Sequence, residues 1–423
     1  MKWKDLSSYQ CLYNGGDMKI IENGTITNVQ GFVAAGISAG FKKSGKRDLA
    51  LIYSKTPAVA TAVFTLNLVK AAPLVLDMEH IKNNNTQAII INSGNANACT
   101  GQEGYNNALK TAELVAEKLG LNKSDVLVHS TGVIGVQLNM DVMNNGVESI
   151  VKELDDKSGQ LAAEAIMTTD TFPKTVCVEI ELNGKPVRIA GMSKGSGMIH
   201  PNMGTMLGVV VTDADIEKEL LDKIFKDIVE DTYNMVSVDG DTSTNDMGVV
   251  IANGLANNDK LVVEDDENTK KFKDALEYVN KELAMLIAKD GEGATKLIEV
   301  HVKNARSIID AKKSAKAVVI SSLVKTAIFG SDANWGRILC AVGYSGAELI
   351  VDNVEIFLKS GEDIIQVAKN GAGIEFSEEY ATKILKEEKV EIIIDLHDGE
   401  HNAIAWGCDL SYDYVRINAD YRS

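Results

Sequence analysis

A threonine directly after a glycine, Gly204-Thr205, closes an irregular link that begins Ser193-Lys194-Gly195-Ser196-Gly197-Met198-Ile199-His200-Pro201-Asn202-Met203. A threonine hydroxyl becomes a useful nucleophile only with a base beside it, and an N-terminal threonine carries one in its own α-amine. That amine has a pKa of about 7.7–8.0 when free, whereas inside a chain the same nitrogen is a non-basic amide. Nucleophilic chemistry at Thr205 therefore requires the Gly204–Thr205 bond to be cut, with Thr205 Oγ as attacker and the unhindered Gly204 carbonyl as target. The residues alone leave a second reading open, since a Gly/Ser-rich link beside a strand is commonly only a loop.

Other polar constellations lie far from this one in the chain. His129-Ser130-Thr131-Gly132 follows the short apolar run 126–128. Small residues there leave backbone N–H groups free to face an anion or a developing oxyanion, or simply make a tight turn. Thr168-Thr169-Asp170-Thr171 forms a polar ledge at a helix exit, and Glu292 stands between Gly291 and Gly293 on an uncrowded turn. Asp239, Asp241, Asn245 and Asp246 offer oxygens for calcium but lack the glycine and distal glutamate of an EF-hand. Capping and turn chemistry is their expected use. Gly195-Ser196-Gly197 has no third glycine at dinucleotide spacing and no Walker lysine accompanies it, so nucleotide binding finds little support.

Regular elements must hold these groups. Apolar runs at 49–53, 59–65, 87–91, 126–128, 175–182, 187–191, 206–211 and 247–252 predict strands. Helical periodicity appears at 102–119, ended by Gly120, and at 158–167, 215–233 and 268–288. From residue 295 the pattern restarts: a strand at 297–302, a helix at 305–326, strands at 354–358, 390–396 and 403–408, and a helix at 377–387. Residues 331–337 should cap a further helix. Strands alternating with helices predict an α/β protein, with a second α/β domain at the C-terminal end.

The 423 residues suffice for two or three domains with a sizeable core. A balance of 43 basic against 60 acidic side chains gives a net charge of −17, which argues against nucleic-acid partners and an anionic membrane surface. Five cysteines, widely spaced and without a CxxC pair, make disulfides and structural zinc unexpected. The N-terminal residues lack the apolar core of a signal peptide, and no apolar stretch is long enough to span a bilayer. A cytoplasmic location is expected.

The run Lys194-Gly195-Ser196-Gly197-Met198-Ile199-x-Pro201-Asn202-Met203-x-Thr205-Met206-Leu207 resembles the signature of the ornithine acetyltransferase family, also called glutamate N-acetyltransferases. Thr131-Gly132, Met167-Thr168-Thr169-Asp170-Thr171, Asp290-Gly291-Glu292-Gly293-Ala294-Thr295 and the tail Ile417-Asn418-x-x-Tyr421 match in the family's order over nearly the whole chain. Gly204 replaces the usual Ala, and Ser423 the commoner terminal Thr. The resemblance implies an Ntn-hydrolase-like layered sandwich over residues 1–294 and a C-terminal α/β domain, 295–423, whose tail returns to the active site. It implies self-cleavage into chains 1–204 and 205–423, assembled as an α2β2 tetramer. The implied reaction moves the acetyl group of N-acetylornithine to glutamate through an acetyl-Thr205 ester, in arginine biosynthesis, with acetyl-CoA as an optional second donor. By the same resemblance Thr131 and Gly132 form the oxyanion hole, while Thr168, Lys194, Glu292, Asn418 and Ser423 bind substrate, with no metal and no cofactor. Two alternatives stay open: a self-processing aminopeptidase or amidase of the same fold, and an acidic binding protein that never cuts itself.

Overall fold

A computed structural model describes residues 18–200 and 206–420. Its strands in chain order are β1 (Met18–Ile20), β2 (Phe32–Ile37), β3 (Leu49–Ser54), β4 (Val59–Phe64), β5 (Ala88–Asn95), β6 (Val126–Val133), β7 (Lys174–Leu182), β8 (Lys185–Lys194) and β9 (Leu207–Thr212). There follow β10 (Val236–Ser237), β11 (Met247–Ala252), β12 (Leu297–Ala305), β13 (Glu355–Ser360), β14 (Asp363–Lys369), β15 (Ala372–Gly373), β16 (Lys389–Asp395) and β17 (His401–Cys408). They build three sheets, ordered β2-β3-β5-β6, β1-β7-β8-β9-β11-β4 and β10-β17-β12-β16-β13-β14-β15.

The first two sheets lie face to face, as the layered α/β expectation requires. Side chains alternate across a strand, so Ala34, Ala50, Ile52, Ile89, Ile91 and Leu127 of one sheet meet Ala190, Met192, Leu207, Val209, Met247 and Val249 of the other. The outer face of the four-stranded sheet packs on the helices Gly101–Leu119 and Met140–Ile150 through Ala108, Ala112, Val115, Met143 and Val147. The outer face of the six-stranded sheet packs on Lys218–Asp231 and Glu267–Lys289, and this core continues without a break into the seven-stranded sheet. Helix ends follow local chemistry: Gly120 takes the left-handed conformation (φ 71°) after Leu119, and Asp266 caps Glu267–Lys289 by accepting from the Asn268 and Thr269 N–H groups.

Three expectations change. The single helix predicted over 305–326 is two, Ile308–Ile320 and Ser322–Phe329, because Ser321 turns extended and its hydroxyl accepts from the Val324 N–H. A serine hydroxyl competes for backbone donors, which makes it a better cap than interior residue. The strand predicted at 126–128 runs on to Val133, so Thr131 and Gly132 belong to the strand end and not to a following loop. Likewise β5 extends into the amide-rich segment as far as Asn95. Among the described residues, Cys99, Cys177, Cys340 and Cys408 are free, and no helix is long and apolar enough to cross a membrane.

Candidate active site

One cleft, about 820 Å³ with its open mouth included, collects most of the singled-out residues. Its wall takes His129, Thr131 and Gly132 from β6, Thr168 and Thr169 from the ledge, and Lys194 from the end of β8. Met206 and Leu207 at the start of β9, the segment 243–246, Glu292 and Asn418 complete it. Gly204, Thr205 and Ser423 lie outside the described residues. Thr205 is bonded to Met206, however, so a single peptide unit separates it from the cleft wall.

The β6 end is shaped by its neighbour. β5 and β6 run parallel, with a register shift at Gly94/Asn95 opposite Gly132. Gly132 has φ 130°, and a Cβ there would overlap the Gly94 and Asn95 backbone. Only glycine fits that conformation and that approach. Asn245 locks the facing loop: its Nδ2 donates to the Ala96 and Ser130 carbonyls at 2.6 and 2.7 Å.

Charges are arranged around Asp170. Its carboxylate accepts from the Gly195 N–H (2.7 Å), the Thr168 N–H (2.9 Å) and Lys174 Nζ (2.7 Å), with Lys194 Nζ at 3.9 Å. Burial pushes this carboxyl up, but Lys194 and Lys174 outweigh it and hold it well below the ordinary range. Lys194 therefore enters the cleft with its carbon stem buried and its ammonium near a fixed anion. Glu292 lines the same cleft from the 290–293 turn. Its N–H donates to the Ser196 carbonyl (2.9 Å), and its Oε2 accepts from Asn418 Nδ2 (2.8 Å). Gly197 makes that packing feasible, because a Cβ there would overlap the Glu292 carboxylate. Asn418 arrives on the C-terminal helix Tyr412–Asp420, none of whose residues is buried.

The acidic segment is used for turn chemistry, as its sequence suggests. Asp239 accepts from the N–H groups of Met198 (2.7 Å), Ile199 (2.9 Å) and Asp241 (3.2 Å), fixing the turn on which Met198 takes φ 55°. Among the described residues, one group has metal-like spacing: Glu299, His301 and Glu391 on the third sheet. Lys389 already holds Glu299 (3.1 Å) and Lys359 holds Glu391 (2.9 Å), and none of the three lines the cleft.

Sequence reasoning gave several residues no place of their own in the site. His129, 1% exposed, lines the cleft with neither ring nitrogen hydrogen-bonded, and burial lowers its pKa to about 3, so the ring is neutral. The Asn245 backbone carbonyl faces the ring without hydrogen-bonding geometry, while the Asn245 N–H donates to Ser243 Oγ. Period-two alternation from Thr131 could have found His129. Asp246 is buried against the cleft with its carboxyl raised well above normal by desolvation and Oδ2 unpartnered. Lys174 left no signal, and Asp290 stood in the 290–295 run without a partner named for it, since the two meet only through folding.

A model of the ArgJ family matches residues 33–423. The chain is 57% identical over 406 residues to the arginine biosynthesis bifunctional protein ArgJ of Caldanaerobacter subterraneus, covering 96% of this chain and 100% of that one. It is 51% identical to ArgJ 1 of Clostridium acetobutylicum, covering 96% of this chain and 99% of the relative. A solved structure of ornithine acetyltransferase complexed with ornithine, from Mycobacterium tuberculosis, is 40% identical and covers 44% of this chain and 98% of that one, with a TM-score of 0.41.

Proposed function

The chain belongs to the ArgJ family, and from that premise we propose an acetyl relay through Thr205 as the way it works. The protein is an enzyme of arginine biosynthesis, an ornithine acetyltransferase whose acceptor is glutamate. The relay begins when Thr205 Oγ attacks the Gly204 carbonyl and the C–N bond breaks to leave a Gly204 ester on Oγ. Water hydrolyses that ester to a Gly204 carboxylate, freeing the Thr205 hydroxyl and its amine as base. That amine takes the proton from Thr205 Oγ as the oxygen attacks the acetyl carbon of N-acetylornithine. Thr131 and Gly132 receive the oxyanion, a contribution of roughly 2.7–4 kcal/mol per donor in a comparable site. The C–N bond then breaks, the leaving α-amine takes the proton, and an acetyl-Thr205 ester remains. Glutamate's α-amine attacks the ester, the C–Oγ bond breaks, and Oγ regains a proton.

Substrate ends are recognised by charge. Lys194 takes the α-carboxylate common to both amino acids, Glu292 the δ-ammonium of ornithine, and Thr168, Asn418 and Ser423 the remaining polar contacts. The relay needs no metal and no cofactor. The bifunctional naming of the relatives supports acetyl-CoA as a second donor to the same threonine. Chains 1–204 and 205–423 would assemble as α2β2 in the cytoplasm, with residues 1–294 forming the catalytic sandwich and 295–423 the second domain.

One observation carries this reading: Thr131, Gly132, Lys194, Glu292 and Asn418, far apart in sequence, line one cleft together with the residue bonded to Thr205. The test is ornithine release from N-acetylornithine with and without glutamate. Glutamate-dependent release, with an acetyl adduct on the 205–423 chain by mass spectrometry, is expected. Release that ignores glutamate, with no adduct, would replace transfer by hydrolysis.

A further inference from the structure

Lys174 does not line the cleft, yet its side chain is 0% exposed and its ammonium lies between two carboxylates, 2.7 Å from Asp170 and 2.6 Å from Asp290. The Phe172 ring covers it at 5.0 Å. Two carboxylates and one aromatic ring thus surround the ammonium. A buried ion network of this kind adds little net stability, because desolvation offsets attraction, but it specifies geometry strongly. The geometry specified here belongs to the substrate contacts. Asp170 ties the ledge of Thr168 to the Gly195 N–H, next to Lys194. Asp290 accepts from the N–H of Thr171 at 3.0 Å and from its hydroxyl, while its own carbonyl takes the Ser196 hydroxyl at 2.7 Å. Two residues further on stands Glu292. Without a cation between them Asp170 and Asp290 would repel, and the segments carrying Lys194 and Glu292 would separate.

We propose that Lys174, with Asp170 and Asp290, is a positioning group that fixes the gap between Lys194 and Glu292 and so selects the substrate by the spacing of its carboxylate and its side-chain ammonium. This rests on the reading that Lys194 and Glu292 hold those two ends. With the gap fixed, an N-acetylated diamino acid one methylene longer than ornithine places its ammonium out of register. A loosened gap accepts both chain lengths.

The experiment compares kcat/KM for N2-acetylornithine and N2-acetyllysine, with glutamate as acceptor, in the wild type, Lys174→Met and Thr171→Val. Any loss of folded or cleaved enzyme scales both substrates equally, so the ratio reports selection alone. The ornithine preference should fall at least about tenfold in Lys174→Met, since a methylene's misfit spans about 10–200-fold in a defined pocket, and by a smaller factor in Thr171→Val. Thr171→Val keeps the buried charges balanced and decides the question if Lys174→Met does not fold. Ratios within twofold of wild type in the folded variants overturn the inference while leaving the acetyl relay intact. A wild type that releases no ornithine from N-acetylornithine would sink the relay first, and the inference with it.

Discussion

Thr205, Gly132 and His129 each tie a measurable property to a single position. Thr205→Ala removes the attacking oxygen, and denaturing electrophoresis should then show one uncut chain without transferase activity. Two fragments from that variant would end the proposal. Gly132→Ala forces a Cβ onto the Gly94 and Asn95 backbone at φ 130°, so the strand end must shift. A shift of about 1 Å near reacting groups costs on the order of 10²-fold in rate, and kcat should drop by that amount while far-ultraviolet circular dichroism stays unchanged. His129 adds a pH dependence with a defined sign. Unfolded histidine titrates near 6.5, and in the fold the ring titrates at about 3. A depressed pKa means the contribution to stability is full above about 6.5 and is lost as pH falls toward 3, by about 1.4 kcal/mol per unit. His129→Gln should therefore lose less stability than wild type between pH 6.5 and 4.5, read from urea midpoints. Parallel pH slopes for the two proteins would rule out this ring as the titrating group.

At the scale of elements, the β8–β9 connection and the C-terminal helix carry the chemistry. β8 and β9 are antiparallel neighbours, with Lys194 opposite Leu207, and Gly197, Met198 and Ile199 just beyond the end of β8 line the cleft. Asp239 clamps the first part of that segment through the Met198 and Ile199 N–H groups. Asp239→Ala leaves both donors without that partner and should slow self-cleavage, measured as the half-life of the uncut precursor; an unchanged half-life would show the clamp irrelevant to cutting. The helix Tyr412–Asp420 has no buried residue and is held by an edge-on contact of Tyr412 with Phe329 and by Asn418 on Glu292. Ending the chain at Ser411 should raise KM for N-acetylornithine about tenfold or more, since a hydrogen bond to a charged group contributes roughly 1.5–3 kcal/mol. The melting temperature should move little. A large fall in melting temperature with KM intact would make the helix structural.

The topology of the whole molecule would hold the two products of the proposed cut between Gly204 and Thr205 together as one body. The six-stranded sheet reads β1-β7-β8-β9-β11-β4, so β9 and β11, from beyond the cleavage point, lie between β8 and β4, from before it. Their ladders and the face-to-face core of Leu207, Val209, Met247 and Val249 join the two products without a covalent bond. The cleaved chains should co-elute in native size exclusion and separate only in denaturant; separation in native buffer would contradict this topology. Much of this was legible in the amino-acid order. Apolar runs gave β4, β7, β9 and β11, 3.6-residue periodicity gave the long helices, and the family resemblance of the runs around Thr131, Lys194, Glu292 and Asn418 gave the candidate site. Those signals are local, written in neighbouring residues, and so survive without a fold. The strand position of Gly132, the unpartnered ring of His129 and the placing of Lys174 between Asp170 and Asp290 were not legible. Each depends on which distant segment lies alongside, and only close packing of the chain decides that.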